Sequence, residues 1–233
     1  MGTEAKKYIK FFIIVVVLGF IGGTVKVLYE DKFGKFPIWV YLVFIAVVFG
    51  AYIILGILPT MRLKKHILKA NSILYDDHDA ERYLKETIKL QNRKKSFLDM
   101  QYNVNKAIID INVAVGYIHT GRTEKAIKLL SKLDVSRLHS FAKATYYTNY
   151  LYALFKQKKK HDATMILENH KKLLIQYEDN PNIGCYINLI FAYNAKLNKD
   201  GDVNDYIERS EKLAIGYYER IEYEKARKVL IAQ

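Results

Sequence analysis

The stretch from Pro37 to Pro59, PIWVYLVFIAVVFGAYIILGILP, constrains this chain more than any other part of it. No charged residue occurs from Phe36 to Met61, a run longer than the roughly 20 apolar residues a helix needs to cross hydrocarbon. Buried helices of soluble domains are rarely apolar all round for that length. Trp39 and Tyr41 stand near one end, where aromatic rings favour a membrane interface. The expectation is a membrane span over about 37–59 that divides a short insertion module, 1–61, from a large polar remainder, 62–233.

A first apolar run, Phe11 to Val25, follows Lys6, Lys7 and Lys10. It reaches spanning length, about 8–29, if Lys10 and Lys26 snorkel and Tyr8 and Tyr29 anchor its ends. A cleaved signal peptide is the competing reading. Gly22, Gly23 and Thr24 make a poor cleavage site, so an uncleaved helix is favoured. YEDKFGKF then reads as the loop of a two-helix transmembrane hairpin. Gly19 with Gly23, and Ala46 with Gly50, are small-xxx-small pairs that allow close helix approach, within the hairpin or in a homo-oligomer. Lys6, Lys7, Lys10, Arg62, Lys64, Lys65 and Lys69 outnumber Lys26, Lys32 and Lys35, which places both termini in the cytosol.

The remainder is strongly basic. The whole chain carries +13, and after the six Lys and three acids of 1–61 the rest holds +10. Such a surplus is attracted to phosphates. On a tethered domain the nearest are anionic lipid headgroups, within reach of Arg62, Lys64, Lys65 and Lys69. Cys185 is the single cysteine, which excludes an internal disulfide framework.

From Arg62 onward apolar residues recur at helical spacing, with almost no strand-like alternation. The pattern predicts helices at about 63–75, 79–94, 97–119, 122–133, 137–157, 161–177, 182–197 and 203–231, the last breaking near Tyr218. Short polar breaks between them make antiparallel helix pairs. The segment INVAVGYIHTGRTEKAIKLLSKLD places Ala114 and Tyr117 on one helix, a turn at Thr120-Gly121, and Ala126 and Leu130 on the next. Weaker copies carry Ala80 and Leu84, then Ala153, Ala163 and Leu167, then Ala195 and Tyr206.

This order of small, aromatic, small and large apolar residues resembles the tetratricopeptide repeat, over about 66–218. The spacings Ala80 to Ala126, Ala126 to Ala163 and Ala163 to Tyr206 are 46, 37 and 43 residues against the family's 34. The family's proline near the repeat end is replaced by Asp134-Val135-Ser136. The resemblance implies an all-α solenoid of helix pairs whose concave face binds peptides or helices of other proteins.

Sites with chemistry are sparse. Asp76, Asp77, His78 and Asp79 read as a helix cap, since consecutive turn residues rarely converge on a metal. The six His form no H-x-x-x-H pair and Cys185 has no companion, so neither metal nor cofactor is expected. Walker, G-x-G-x-x-G and G-x-S-x-G patterns are absent, which argues against an enzyme. The basic clusters Arg93 to Lys95, Lys156 with Lys158 to Lys160, and Lys171-Lys172 read as solvated turns, and no nucleic-acid motif accompanies them.

Tyr146, Tyr147, Tyr150 and Tyr152 crowd one predicted helix and cannot all face its core, which makes them candidates for partner contacts. The reading that emerges is a bacterial-type, multi-pass protein of the inner membrane. Its cytosolic domain would serve as a scaffold or adaptor for a protein or peptide partner. The second reading is a membrane-bound regulator or sensor whose helical domain takes a peptide or nucleic-acid ligand.

Overall fold

The computed structural model describes residues 3–35, 37–54, 58–92, 102–199 and 201–231, with side chains from 16 onward except 18, 44, 51, 52, 59, 60 and 102. Every regular element among them is a helix. The chain divides into two compact units, one of residues 1–64 with 95–102 and the other of 65–94 with 103–233.

The first unit contains α1 (Thr3–Phe33) and α2 (Ile38–Tyr52) and the start of α3 (Leu58–Tyr75). Here the expected transmembrane hairpin is corrected. α2 ends after 15 residues, about 22 Å of helix, against about 30 Å of hydrocarbon to be crossed. Ile53 and Ile54 follow as a wider helical turn, and from Leu58 the chain is in a separately bounded helix, α3, which runs on through Arg62, Lys64, Lys65 and Lys69. In α1, the part with described side chains carries Lys26, Glu30, Asp31 and Lys32, and Lys26 pairs with Glu30 at 3.9 Å.

No helix among the described residues is long and apolar enough to cross a membrane. The inner-membrane, multi-pass localisation with cytosolic termini is therefore withdrawn. Arg62, Lys64, Lys65 and Lys69 are exposed on α3. The side chains of Lys6, Lys7 and Lys10, and the whole Arg93 to Lys95 cluster, lie outside the described residues. A Cβ added at Gly19, Gly23 or Gly50 would meet no atom of the described residues within 4 Å. Gly19 and Gly23 line an apolar cleft of about 400 Å³ with Val40, Tyr41, Val43 and Val47.

The second unit takes the end of α3 and then α4 (Ala80–Gln91), α5 (Tyr102–His119), α6 (Thr123–Leu130), α7 (Ser140–Lys156), α8 (Lys160–Ile175), α9 (Gly184–Asn198), α10 (Val203–Leu213) and α11 (Tyr217–Ile231). Local chemistry sets the starts. Asp79 accepts the Arg82 N–H at 2.9 Å and caps α4, while Asp202 accepts those of Asn204 and Asp205 to cap α10. Gly121, at φ +75°, makes the tight turn between α5 and α6 that a side chain would strain.

Small residues set the helix spacing. Ala114, Ala126, Ala153, Ala163 and Ala192 are fully buried, and Leu130, Leu151, Leu167 and Ile187 fill the grooves beside them. Residues Leu151 to Phe155 of α7 and Ile187 to Ala192 of α9 are buried without interruption, so these two helices are covered on all sides. Around them α8 packs on α7, α7 on α9, and α10 on α9.

The predicted helix 203–231 is two helices, broken at Ala214, Ile215 and Gly216. The side chain of Glu219 turns back to accept the Gly216 N–H, which starts α11 afresh in a new direction.

Gly184 at the start of α9 leaves no room for a side chain. A Cβ there would collide with the Glu178 carbonyl and stand 2.8 Å from Leu213 Cδ1. The same carbonyl accepts the Asn188 amide at 2.9 Å, so it has no freedom to move away. Gly184→Ala is expected to destabilise the second unit by about 2 kcal/mol. In a chain of this size that lowers Tm by about 4–8 °C, measurable by calorimetry; an unchanged Tm would show that the α8–α9 turn can yield.

Candidate functional site

Helix α11 presents one stripe inward: Glu219, Glu222, Tyr223, Ala226 and Leu230 are buried at helical spacing. Two carboxylates on a buried stripe require partners, because an unpaired buried charge is severely destabilising. Glu219 accepts the Gly216 N–H at the start of its own helix, and the partners of Glu222 come chiefly from α7. The Tyr152 hydroxyl donates to Glu222 Oε2, and Lys156 Nζ reaches the same oxygen at 2.9 Å. Glu222 Oε1 takes Lys225 from its own helix at 3.3 Å. Burial by itself would raise the Glu222 carboxyl, but the Tyr152 hydrogen bond and the Lys156 and Lys225 charges outweigh it and hold it below the ordinary carboxylate range.

The remaining contacts run the length of α11. At its start the Tyr218 hydroxyl donates to the His78 carbonyl at 2.7 Å, and Tyr217 stacks on the His78 ring at 4.3 Å. His78 lies in the α3–α4 turn at φ +54°, so the segment that receives α11 is itself a tight corner. Next, the His119 ring at the end of α5 sits 4.5 Å from Tyr218 and edge-on to Tyr186 at 6.4 Å. Tyr186 of α9 in turn meets Tyr152 at 5.1 Å. At the far end Lys196 of α9 donates to the Val229 and Leu230 carbonyls at 2.9 and 2.8 Å, satisfying backbone acceptors in the last turn of α11. One helix is thus held at four places, by the turn after α3 and by α5, α7 and α9, and it packs along α9 and α10.

The tyrosine cluster expected to face a partner divides. Tyr146 is 6% exposed and its hydroxyl donates to the Leu130 carbonyl at 3.1 Å. Tyr152 is 3% exposed and belongs to the α11 contact. Tyr147 and Tyr150 are half-buried: Tyr147 stacks on His170 of α8 at 3.6 Å, and both rings lie against Tyr146. Lys156, exposed like Lys158, Lys159, Lys160, Lys171 and Lys172, nonetheless brings its ammonium group to Glu222.

Sequence reasoning passed over Glu219, Glu222 and Lys196, and it took His119 for an ordinary exposed residue near a helix–helix turn. For the first two a signal existed, because both carboxylates share the helical stripe of Tyr223, Ala226 and Leu230. For His119 and Lys196 none did. Among the described residues no group of three or more His, Cys, Asp or Glu side chains is placed to hold a metal ion. Cys185 is buried against Ser210 at 3.3 Å, and burial pushes its thiol up to about 12.

His119 supplies a pH signature for this seam. Its Nδ1 is buried without a protein partner. Burial lowers its pKa to about 4 from 6.5, against the pull of Glu222 and with the help of Lys156 and Lys225. A histidine depressed in the fold stabilises it above the unfolded pKa, and that stability drains away as pH falls from 6.5 toward 4. Between pH 7 and 5 the loss is expected to be about 2 kcal/mol in denaturant unfolding. His119→Phe keeps the ring between Tyr186 and Tyr218 and should flatten this slope; an unchanged slope would assign it to other groups.

No family model, no curated protein and no solved structure matches this chain. The resemblance to the tetratricopeptide family is corrected accordingly. The small residues that suggested it are buried where helices meet, but α6 has only 8 residues beside the 17 of α7. The unequal pairs and spacings of 37 to 46 residues depart from that family's regular unit. What stands is an all-α unit of packed helices in which α11 lies on α9 and α10 and is joined by side chains to α5 and α7.

Proposed function

We propose that this chain is a protein-binding scaffold whose second unit recognises a helical segment of another protein on the face formed by α5, α7 and α9. One observation carries the reading: that face grips a whole amphipathic helix through the buried Tyr152–Glu222–Lys156 contact, between positions 66 and 70 residues apart in sequence. Binding a helix by its apolar stripe, with charges fixing the register, is a common mode of protein recognition. Tyrosine and a charge-paired lysine suit such a surface, because they combine large apolar contact with defined hydrogen bonds. The role of Glu222, Tyr152 and Lys156 in this reading is recognition rather than catalysis.

Photo-crosslinking in the native cell tests it. Tyr193 of α9 is half-buried, stacks on Phe155 at 5.7 Å and lies close enough to Glu222 for the carboxylate to affect its hydroxyl. Replacing Tyr193 with a photoreactive phenylalanine should trap one discrete partner protein. A photoreactive group at Tyr150, on the separate aromatic patch of α7, should trap much less of it. Trapping from Tyr150 alone would move the binding face to that patch. Trapping from neither would overturn the scaffold reading.

A further inference from the structure

α11 relates to the rest of its unit as a ligand relates to a site. It follows a three-residue linker, Ala214 to Gly216, in which Ile215 is 73% exposed. It is capped at its start by its own Glu219, so its first turn needs no neighbour. Its grip on the array combines two kinds of contact. Lys196 holds backbone carbonyls at the C-terminal end and would accept any helix there. Tyr152 and Lys156 hold a carboxylate and so demand an acid at one register position.

We infer that α11 is an exchangeable occupant of the α5–α7–α9 face. The partner for which it stands in is an amphipathic helix that brings a glutamate or aspartate to Tyr152 and Lys156, with an aromatic residue one position later and small and large apolar residues four and eight positions later. This pattern is that of Glu222, Tyr223, Ala226 and Leu230. The inference rests on the scaffold reading and adds the regulation of the same face: in the resting chain the face is closed by the chain's own C-terminal helix. A short linker keeps a tethered helix at an effective concentration on the order of mM. A partner helix of similar intrinsic affinity therefore enters only when it is itself concentrated or when α11 is displaced.

The test uses the full chain with a specific protease site inserted between Ala214 and Ile215, cut after folding. A labelled synthetic peptide of residues 217–231 is then added, and its uptake is followed by fluorescence anisotropy and native mass spectrometry. The cut chain should exchange its own α11 for the peptide at about 100-fold lower peptide concentration than the uncut chain requires. Helicity should be retained throughout. A peptide carrying Glu222→Gln should compete at least tenfold less well, and so should the wild-type peptide against a cut chain carrying Lys156→Gln.

Loss of helicity on cutting, or no exchange at any peptide concentration, would overturn the inference and make α11 a permanent part of the core. Exchange that ignores Glu222 would overturn the acidic requirement. Swapping of α11 between two uncut chains, seen as a stable dimer, would replace the partner helix by a second copy and overturn the stated occupant. A partner trapped at Tyr193 without peptide exchange would leave the scaffold reading intact and remove only the exchange. Exchange without any trapped partner would do the reverse.

Discussion

The buried contact of Glu222 with Tyr152 and Lys156 is the interaction on which the second unit depends. A carboxylate taken out of water costs several kcal/mol unless its lone pairs are filled by donors and its charge is balanced. Here both oxygens are engaged, by one hydroxyl and two ammonium groups. The arrangement is satisfied only when α11 lies in one register across α7. A slide by one helical turn would leave Glu222 facing apolar neighbours and Lys156 without its acid. Apolar burial along the stripe supplies attraction, and the carboxylate supplies position.

The consequences spread outward from that position. With Glu222 fixed, Tyr218 falls at the His78 carbonyl, 140 residues away in sequence, and the α3–α4 corner is tied to the C-terminal helix. Leu230 and Ala226 fall into the main core, and the last carbonyls of α11 fall within reach of Lys196. His119 is enclosed with its Nδ1 unpaired, so the seam is sensitive to acid. Helix docking and pH response thus share one set of side chains. A surface that holds its own helix this way has the chemistry to hold another.

Much of the second unit was legible beforehand. Helical periodicity and short polar breaks located the helices, because a helix must show one apolar stripe to a core and a turn must satisfy its own backbone. Asp79 as a cap, and Ala114 and Ala126 as contact points, followed from side-chain size and hydrogen-bonding capacity at fixed local spacing. The membrane hairpin failed for a different reason. Apolarity over 37–59 says nothing of where a helix stops, and among the described residues the run contributes to both α2 and α3. The family resemblance failed because small residues at helix crossings are demanded by close packing in any helical array, and so identify packing rather than ancestry.

By itself the sequence determined that the chain is helical and that the part beyond the two apolar runs carries apolar stripes able to build a core. These are local properties, set by periodicity, composition and spacing within one or two helices. Only the tertiary structure decided which carboxylate is buried, which lysine reaches it, and which tyrosines of α7 meet α11 rather than a patch of surface. Those outcomes depend on pairs such as Lys156 with Glu222, 66 residues apart, whose meeting is set by the packing of every helix between them. A side chain's type fixes what it can bond, and its partner is chosen by the fold.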